Sequence, residues 1–118
     1  MPIFLKRVYD PPTATDGVRL LVERLWPRGV SKEKAAIDHW LKDIAPSADL
    51  RRWFGHAPDR WPEFQTRYSA ELDGNIAAVQ ALRELYAAGP VTFIFAAKDT
   101  ERNGALALKK YIEGQNTD

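Results

Sequence analysis

The chain has 118 residues, a formal net charge of +1 and no cysteine. This length suits one domain with its own hydrophobic core, so we expect a single domain over residues 1–118 with a fraying polar tail at 114–118. The lack of cysteine excludes disulfides, thiolate metal sites and thiol nucleophiles. No apolar run approaches the roughly 18 to 20 residues of a membrane span, and the first residues do not resemble a signal peptide. We therefore expect a cytoplasmic protein.

Two strands are predicted near the start of the chain. The β-prone segment from Ile3 to Tyr9 predicts a first strand, which Asp10-Pro11-Pro12 ends. The apolar run Leu20-Leu21-Val22 predicts a second strand that is buried on both faces. Proline and glycine, at Pro27 and Gly29, then place the chain in a loop.

A short helical turn and a third strand follow. Ser31 is a suitable cap for a turn that reaches about Ala36. The segment from Ile37 to Ile44 fits both helical and strand spacing, and we interpret it as a short strand that ends before Pro46.

Three amphipathic helices are predicted between Ser47 and Gly89. Ser47 caps the first, which ends at Gly55, and Asp59 caps the second. The third ends at Gly89-Pro90, interpreted as a left-handed cap followed by a helix breaker. The apolar faces of the three helices consist of Leu50, Trp53 and Phe54; Trp61, Phe64, Tyr68 and Leu72; and Ile76, Val79, Leu82, Leu85 and Tyr86.

The segment from Val91 to Ala97 is the most strand-like in the chain. It has no polar alternation, which is typical of a central parallel strand covered on both faces. A last helix is predicted from about Glu101 to Ile112, with Ala105 and Leu108 facing inward. The order of elements predicts an α/β fold: a small, mostly parallel sheet of three or four strands flanked by helices on both faces, in a three-layer, Rossmann-like arrangement.

Cationic and polar side chains follow the two buried strands, where open α/β sheets bind ligands. They are Arg24, Trp26 and Arg28 after the second strand, and Lys98, Asp99 and Asn103 after the last strand. Arginine, lysine and the free N–H groups of a helix N-terminus favour an anion, so these residues predict a phosphate or carboxylate ligand. The alternative is structural: Asp99 or Thr100 only caps the last helix, while Arg24 and Lys98 pair with Glu23 or Asp99.

His56 lies in a loop between two predicted helices, close to Gly55 and Pro58. An imidazole there can act as a general acid or base, which makes His56 and Asp99 the candidate catalytic residues. The alternative is that His56 bonds a loop carbonyl. Two separated histidines and no cysteine do not match a zinc site, so we expect no metal and no cofactor, except a Mg²⁺ ion brought by a phosphorylated ligand.

Several longer motifs resemble a known family, domain of unknown function 488, in its YeaO-like branch. The similarity extends from about Ile3 to Ile112. The motifs are Arg7-Val8-Tyr9-Asp10, Asp16-Gly17 through Arg28-Gly29, Trp40-Leu41-Lys42, Ala45-Pro46-Ser47, Leu50-Arg51, Trp53-Phe54-Gly55-His56 and Ala96-Ala97-Lys98-Asp99. This resemblance implies a compact bacterial α/β domain without an established activity.

The resemblance also limits the chemistry. Another branch of the family carries cysteines and a Cys-His-Arg run in the segment similar to Phe95 through Ala105, which this chain lacks. Thiol or metal chemistry implied by that branch does not carry over. Relatives in the closer branch tend to have a histidine where this chain has Gly104.

Three functions remain open at this point. The first is a small enzyme or binding protein for an anionic molecule, with Arg24, Arg28 and Lys98 on the anion. The second is a nucleic-acid-binding module, which the near-zero net charge disfavours. The third is a protein-interaction domain of unknown oligomeric state. The nucleic-acid module would use Arg24, Arg28, Lys32, Lys34, Arg51 and Arg52 on phosphates, and Trp26 or Trp53 for stacking.

Overall fold

A sheet of four parallel strands runs through the part of the chain described by the computed structural model, residues 3–115. The strands lie in the order β1-β4-β2-β3. They are β1 (Ile3–Arg7), β2 (Val18–Leu21), β3 (His39–Trp40) and β4 (Val91–Phe95). Phe93 of β4 is paired with Leu5 on one side and Leu20 on the other. The most apolar strand therefore has a neighbour on each side, as its sequence predicts.

Helices cover both faces of the sheet, which confirms the predicted α/β class. They are α1 (Lys32–Ala35), α2 (Ala48–Phe54), α3 (Trp61–Asp73), α4 (Ile76–Ala88) and α5 (Gly104–Gln115). The main core lies on one face, where Leu20 and Phe93 pack against Phe64, Leu82 and Leu108 of α3, α4 and α5. Within residues 3–115, no helix combines the length and the apolarity needed to cross a membrane.

The opposite face has a thinner cover. Leu21 and Ile94 of the sheet pack there against Ala35 of α1, with Trp26 and Trp40 beside them. The short helix α1 and the loop after β2 therefore cover this face, while the four longer helices cover the other.

Local sequence signals for two helix starts are confirmed. The hydroxyl of Ser31 accepts the amide of Lys34 at 3.1 Å, and the hydroxyl of Ser47 accepts the amide of Leu50 at 3.1 Å. Gly55 follows α2 in the left-handed conformation, as its position predicts. The ambiguous segment from Ile37 to Ile44 contains β3 at His39–Trp40 and then a 3₁₀ turn at Lys42–Ile44, so the strand interpretation is confirmed only for its middle two residues.

Three predictions about α3 and α4 are wrong. Asp59 does not cap α3, because a 3₁₀ turn at Pro58–Arg60 continues directly into that helix. Gly89 has an extended backbone, with φ of 166°, so it is not a left-handed cap. Ile76 is 76 % exposed because it begins α4 at the end of the core, and burial on this helix starts at Val79.

The last helix starts and ends later than predicted. It begins at Gly104 because the side chain of Asn103 accepts the amide of Leu106 at 2.8 Å and so caps the helix. It continues through Gln115, which includes the first residues of the predicted polar tail. The remainder of that tail, 116–118, lies outside the described residues.

A buried carboxylate connects the strands to the thinner layer. Asp16 lies between Lys6, whose ammonium is 2.8 Å away, and Arg19, whose guanidinium is 2.6 Å away. Arg19 is itself buried and also donates to the carbonyls of Ala35 at 2.7 Å and Ala36 at 3.0 Å. One ion-pair cluster thus holds β1, β2 and the end of α1 together.

Gly17 follows this carboxylate because no other residue fits. Its φ is +66°, and a Cβ atom there would lie 2.3 Å from the carbonyl oxygen of Pro90. The amide of Val18 donates to the same oxygen at 3.1 Å, so β2 begins in contact with the residue that precedes β4.

The Asp16 cluster predicts a specific pH dependence of stability. Burial alone would raise the pKa of Asp16, but hydrogen bonds from Lys6, Thr13 and Arg19 hold it well below its usual range. A carboxyl whose pKa is depressed by folding stabilises the fold above its unfolded pKa of about 4 and loses that contribution as the pH falls below it. We expect Asp16→Asn to cost about 3 to 5 kcal/mol at pH 7, because Arg19 keeps a buried charge without its partner.

Urea unfolding of the wild type and Asp16→Asn between pH 7 and pH 3 measures this effect. The stability gap between the two proteins should narrow as the pH falls below about 4. Asp49→Asn is the matched control, since Asp49 is exposed and its ion pair is with Arg52, which is also exposed. A gap for Asp16→Asn that stays constant over this range would contradict the assignment.

Candidate functional site

A pocket of about 290 Å³ opens at the carboxyl ends of β2 and β4. Glu23 follows β2 at this edge, and Ala96 and Ala97 follow β4. The other walls are the loop after β2, Pro46, the end of α2, Phe64 of α3 and the beginning of α5. The pocket therefore occupies the edge of the sheet where open α/β folds bind ligands. Its volume is close to the lower end of the range for small-molecule sites, about 300 to 1,000 Å³.

Glu23 is the main site residue that sequence reasoning missed. One of its carboxylate oxygens accepts the amide of Ala96 at 3.0 Å, and its backbone carbonyl accepts the indole N–H of Trp40 at 2.7 Å. Glu23 is thus fixed at both its backbone and its side chain. The available signal was its position, directly after a buried strand and beside the residues already chosen as ligand binders.

The second carboxylate oxygen of Glu23 is open to the pocket. Within residues 3–115, no side chain or amide donates to it, and no side-chain oxygen or nitrogen in that part of the chain is buried without a partner. Burial raises the pKa of Glu23, whereas the Ala96 hydrogen bond and the charges of Arg51 and His56 act in the opposite direction. The pocket therefore contains a partly desolvated carboxylate with one unused acceptor.

Arg51 and His56 supply hydrogen-bond donors to the pocket. Arg51 belongs to α2, and His56 follows that helix after Gly55. Gly55 and His56 both have a left-handed backbone, with φ of 52° and 57°, and this turn places His56 at the pocket. Both side chains are exposed at the rim, and neither forms a hydrogen bond or ion pair with another residue in the described part of the chain.

Aromatic rings make the remaining wall rigid. Phe54 stacks on Phe64 with ring centroids 4.4 Å apart, and the ring of His56 lies 6.1 Å from Phe54. Trp26 donates its indole N–H to the carbonyl of Val30 at 2.7 Å and packs edge-on against Trp40. Its ring is therefore held as part of the wall.

The seven predicted site residues are only partly brought together. Trp26, His56 and Asn103 line the pocket, whereas Arg24, Arg28, Lys98 and Asp99 do not. The guanidinium of Arg24 donates to the carbonyls of Ala45 and Pro46, at 3.3 Å each, and so positions a residue of the wall. Arg28 and Lys98 are exposed outside the pocket.

Asp99 bonds the turn before α5, but Asn103 caps the helix itself, so the alternative that Asp99 is the cap is wrong. Its carboxylate accepts the amides of Glu101 at 2.9 Å and Arg102 at 3.0 Å, and the Glu101 hydrogen bond is the largest cause of the lowered pKa of Asp99. Asn103 is buried. Its side-chain N–H donates to the carbonyl of Asp99, and its side-chain oxygen accepts the amide of Leu106 in the first turn of α5. Three N–H groups near this helix start, those of Glu101, Arg102 and Leu106, are therefore already bonded within the chain.

The tryptophans expected to stack on nucleic-acid bases also have partners within the protein. The guanidinium of Arg67 lies 4.3 Å from the centre of the Trp53 ring, and that of Arg60 lies 5.3 Å away. Trp26 is in contact with Trp40. Among residues 3–115, no group of three or more histidine, aspartate or glutamate side chains is placed to hold a metal ion.

The left-handed backbone of His56 predicts a gain in stability when the side chain is removed. We expect His56→Gly to raise the free energy of unfolding by about 0.5 to 1 kcal/mol, since glycine adopts this conformation without strain. Ala36 has a φ of 50° at the end of α1, away from the pocket, and is the matched control.

Thermal or urea unfolding of His56→Gly and Ala36→Gly measures both gains. If Ala36→Gly is stabilised and His56→Gly is destabilised, then His56 supports the fold, which contradicts its assignment as a side chain available to a ligand.

Comparisons with known proteins place the chain in a family. A family model described as the inactive DUF488-N3 subclade matches residues 2–118. The chain is 40 % identical over 112 residues to the uncharacterized protein YeaO of Escherichia coli (strain K12), covering 95 % of this chain and 97 % of that protein. It is 39 % identical over 109 residues to the uncharacterized protein Rv3073c of Mycobacterium tuberculosis (strain ATCC 25618 / H37Rv), covering 92 % of each. No solved structure matches the chain. The chain therefore belongs to the domain of unknown function 488 family, in the subclade that its model describes as inactive.

Proposed function

We propose that this protein binds a small molecule with a carboxylate or phosphate group in the pocket at the carboxyl ends of β2 and β4. The observation that carries the proposal is the pair Arg51 and His56. Both line the same pocket, and both lack a polar partner in the described part of the chain. A ligand anion would provide a polar partner for both side chains.

The chemistry of these two side chains suits an anion. A guanidinium can donate two parallel hydrogen bonds to a carboxylate or a phosphate. An imidazole carries at least one N–H donor in either protonation state, so His56 can add a further hydrogen bond. The aromatic wall beside them reduces the competition from water and strengthens such bonds.

The size and lining of the pocket restrict the ligand. A volume of about 290 Å³ favours a small metabolite. Phe54, Phe64 and Pro46 add apolar surface to the lining, so the ligand should have a short apolar part.

Binding without turnover is the form of the proposal that fits the family. The matching model is described as inactive, and this chain has no cysteine to act as a nucleophile. Asp99, one of the two candidate catalytic residues, lies outside the pocket lining and is engaged in the turn before α5. We therefore assign His56 to ligand binding.

Calorimetric titration of Arg51→Gln tests the proposal. The probes are inorganic phosphate, ethyl phosphate, acetate and 4-methylpentanoate, each titrated into wild type and variant. A hydrogen bond to a charged group contributes about 1.5 to 3 kcal/mol, so the affinity for the bound anions should fall roughly tenfold or more.

Arg52→Gln is the matched control. Arg52 is the next residue in α2, carries the same charge, does not line the pocket and pairs with Asp49. An equal loss of affinity in both variants would indicate general charge attraction and would overturn the proposal.

A further inference from the structure

We infer that the ligand of this pocket is zwitterionic, with an ammonium group on Glu23 in addition to an anionic group on Arg51 and His56. The inference rests on the proposed function and narrows it to small amines that carry a carboxylate or a phosphate. Amino acids and phosphorylated amino alcohols are the chemical classes that satisfy this description.

The carboxylate of Glu23 is oriented by the protein and has one oxygen without a partner. One carboxylate oxygen is fixed by the amide of Ala96, so the orientation of the group is set before any ligand arrives. The other oxygen accepts nothing within residues 3–115 and is accessible from the pocket. A carboxylate accepts hydrogen bonds only, so its complement on the ligand is a donor.

Opposite charges line the pocket. Glu23 and Arg51 line the same pocket and act on each other electrostatically, but they do not form an ion pair. A ligand that fills this pocket of about 290 Å³ therefore meets both a negative and a positive group. A molecule with both charges places each of its groups against an opposite charge of the protein.

The charge of Glu23 disfavours simple anions in the pocket. An anion held by Arg51 alone would lie close to the negative charge of Glu23, and like charges that face each other in a partly desolvated site weaken binding. An ammonium group between the two removes this repulsion. The burial of Glu23 adds to the effect, because a partly desolvated carboxylate gains more from a cationic partner than an exposed one.

Matched pairs of ligands test the inference. Leucine is compared with 4-methylpentanoate, and O-phosphoethanolamine with ethyl phosphate, so that each pair differs only in the amine. We expect the amine-bearing member to bind wild type at least tenfold more tightly in one pair or both. In Glu23→Gln this preference should disappear, while the affinity for the amine-free member stays the same or rises.

Glu84→Gln controls for the change in net charge. Glu84 is exposed on α4 and does not line the pocket, and its substitution should leave the preference unchanged. Glutamine at 23 retains an oxygen that can accept the Ala96 amide, and equal melting temperatures would confirm that the variant is folded.

A measurement on the wild type makes the test independent of this variant. With glutamate labelled by ¹³C at the side-chain carboxyl, the Glu23 signal should shift with leucine or O-phosphoethanolamine and remain in place with the amine-free partners. A shift of equal size with both members would count against the inference.

The outcomes separate the inference from the proposed function. Equal binding of both members to wild type, or a preference that survives in Glu23→Gln, overturns the inference and leaves anion binding intact. If no member of either pair binds, the proposed function fails, and the inference fails with it.

Discussion

The hydrogen bond from the amide of Ala96 to the carboxylate of Glu23 determines how the sheet ends. The last backbone hydrogen bond between the β2 and β4 segments runs from the amide of Val22 to the carbonyl of Ile94, and beyond it the two segments separate. The next amide on the β4 side would be left without a partner, and the Glu23 side chain accepts it. The same bond therefore satisfies the backbone and sets a carboxylate in the wall of the pocket.

Arginines hold the loops around this point. Arg7 of β1 donates to the carbonyls of Ala97 at 2.9 Å and Ala96 at 3.3 Å, and Arg24 fixes the segment that contains Pro46. Arg7 and Arg24, which lie close to the strand ends, thus stabilise the loops through bonds to backbone carbonyls. Arg51, which comes from a helix, retains its hydrogen-bonding groups for a ligand in our proposal. A site with rigid walls and few polar groups is typical of small-molecule pockets.

Local patterns in the sequence were sufficient to predict most of the helices and strands. The apolar run of β4, the serine caps of α1 and α2 and the glycine after α2 each follow from interactions within a few residues, and each is confirmed. The errors have the same origin. Gly89 has the residue type of a helix-end cap, but the surrounding chain gives it an extended backbone. Ile76 fits the apolar face of α4, but its place in the fold leaves it exposed.

The site was harder to predict because its parts are distant in sequence. Its location at the strand ends follows from the fold class, and Trp26, His56 and Asn103 were expected there and line the pocket. The grouping of Glu23 with Arg51 depends on where the end of α2 packs against the sheet. Arg24 was chosen for its place in sequence, yet its direction is set by carbonyls 21 and 22 residues away.

A chemical-shift map of the wild-type protein tests the central claim most directly. Backbone amide spectra recorded during titration with O-phosphoethanolamine should show the largest shifts at Glu23, Arg51, His56, Ala96 and Gly104, which line one pocket. A second cavity, lined by Tyr9, Gly29 and Glu33 among others, provides the contrast. Shifts concentrated at that cavity, or no saturable shifts at all, would contradict the claim that the strand-end pocket is the binding site.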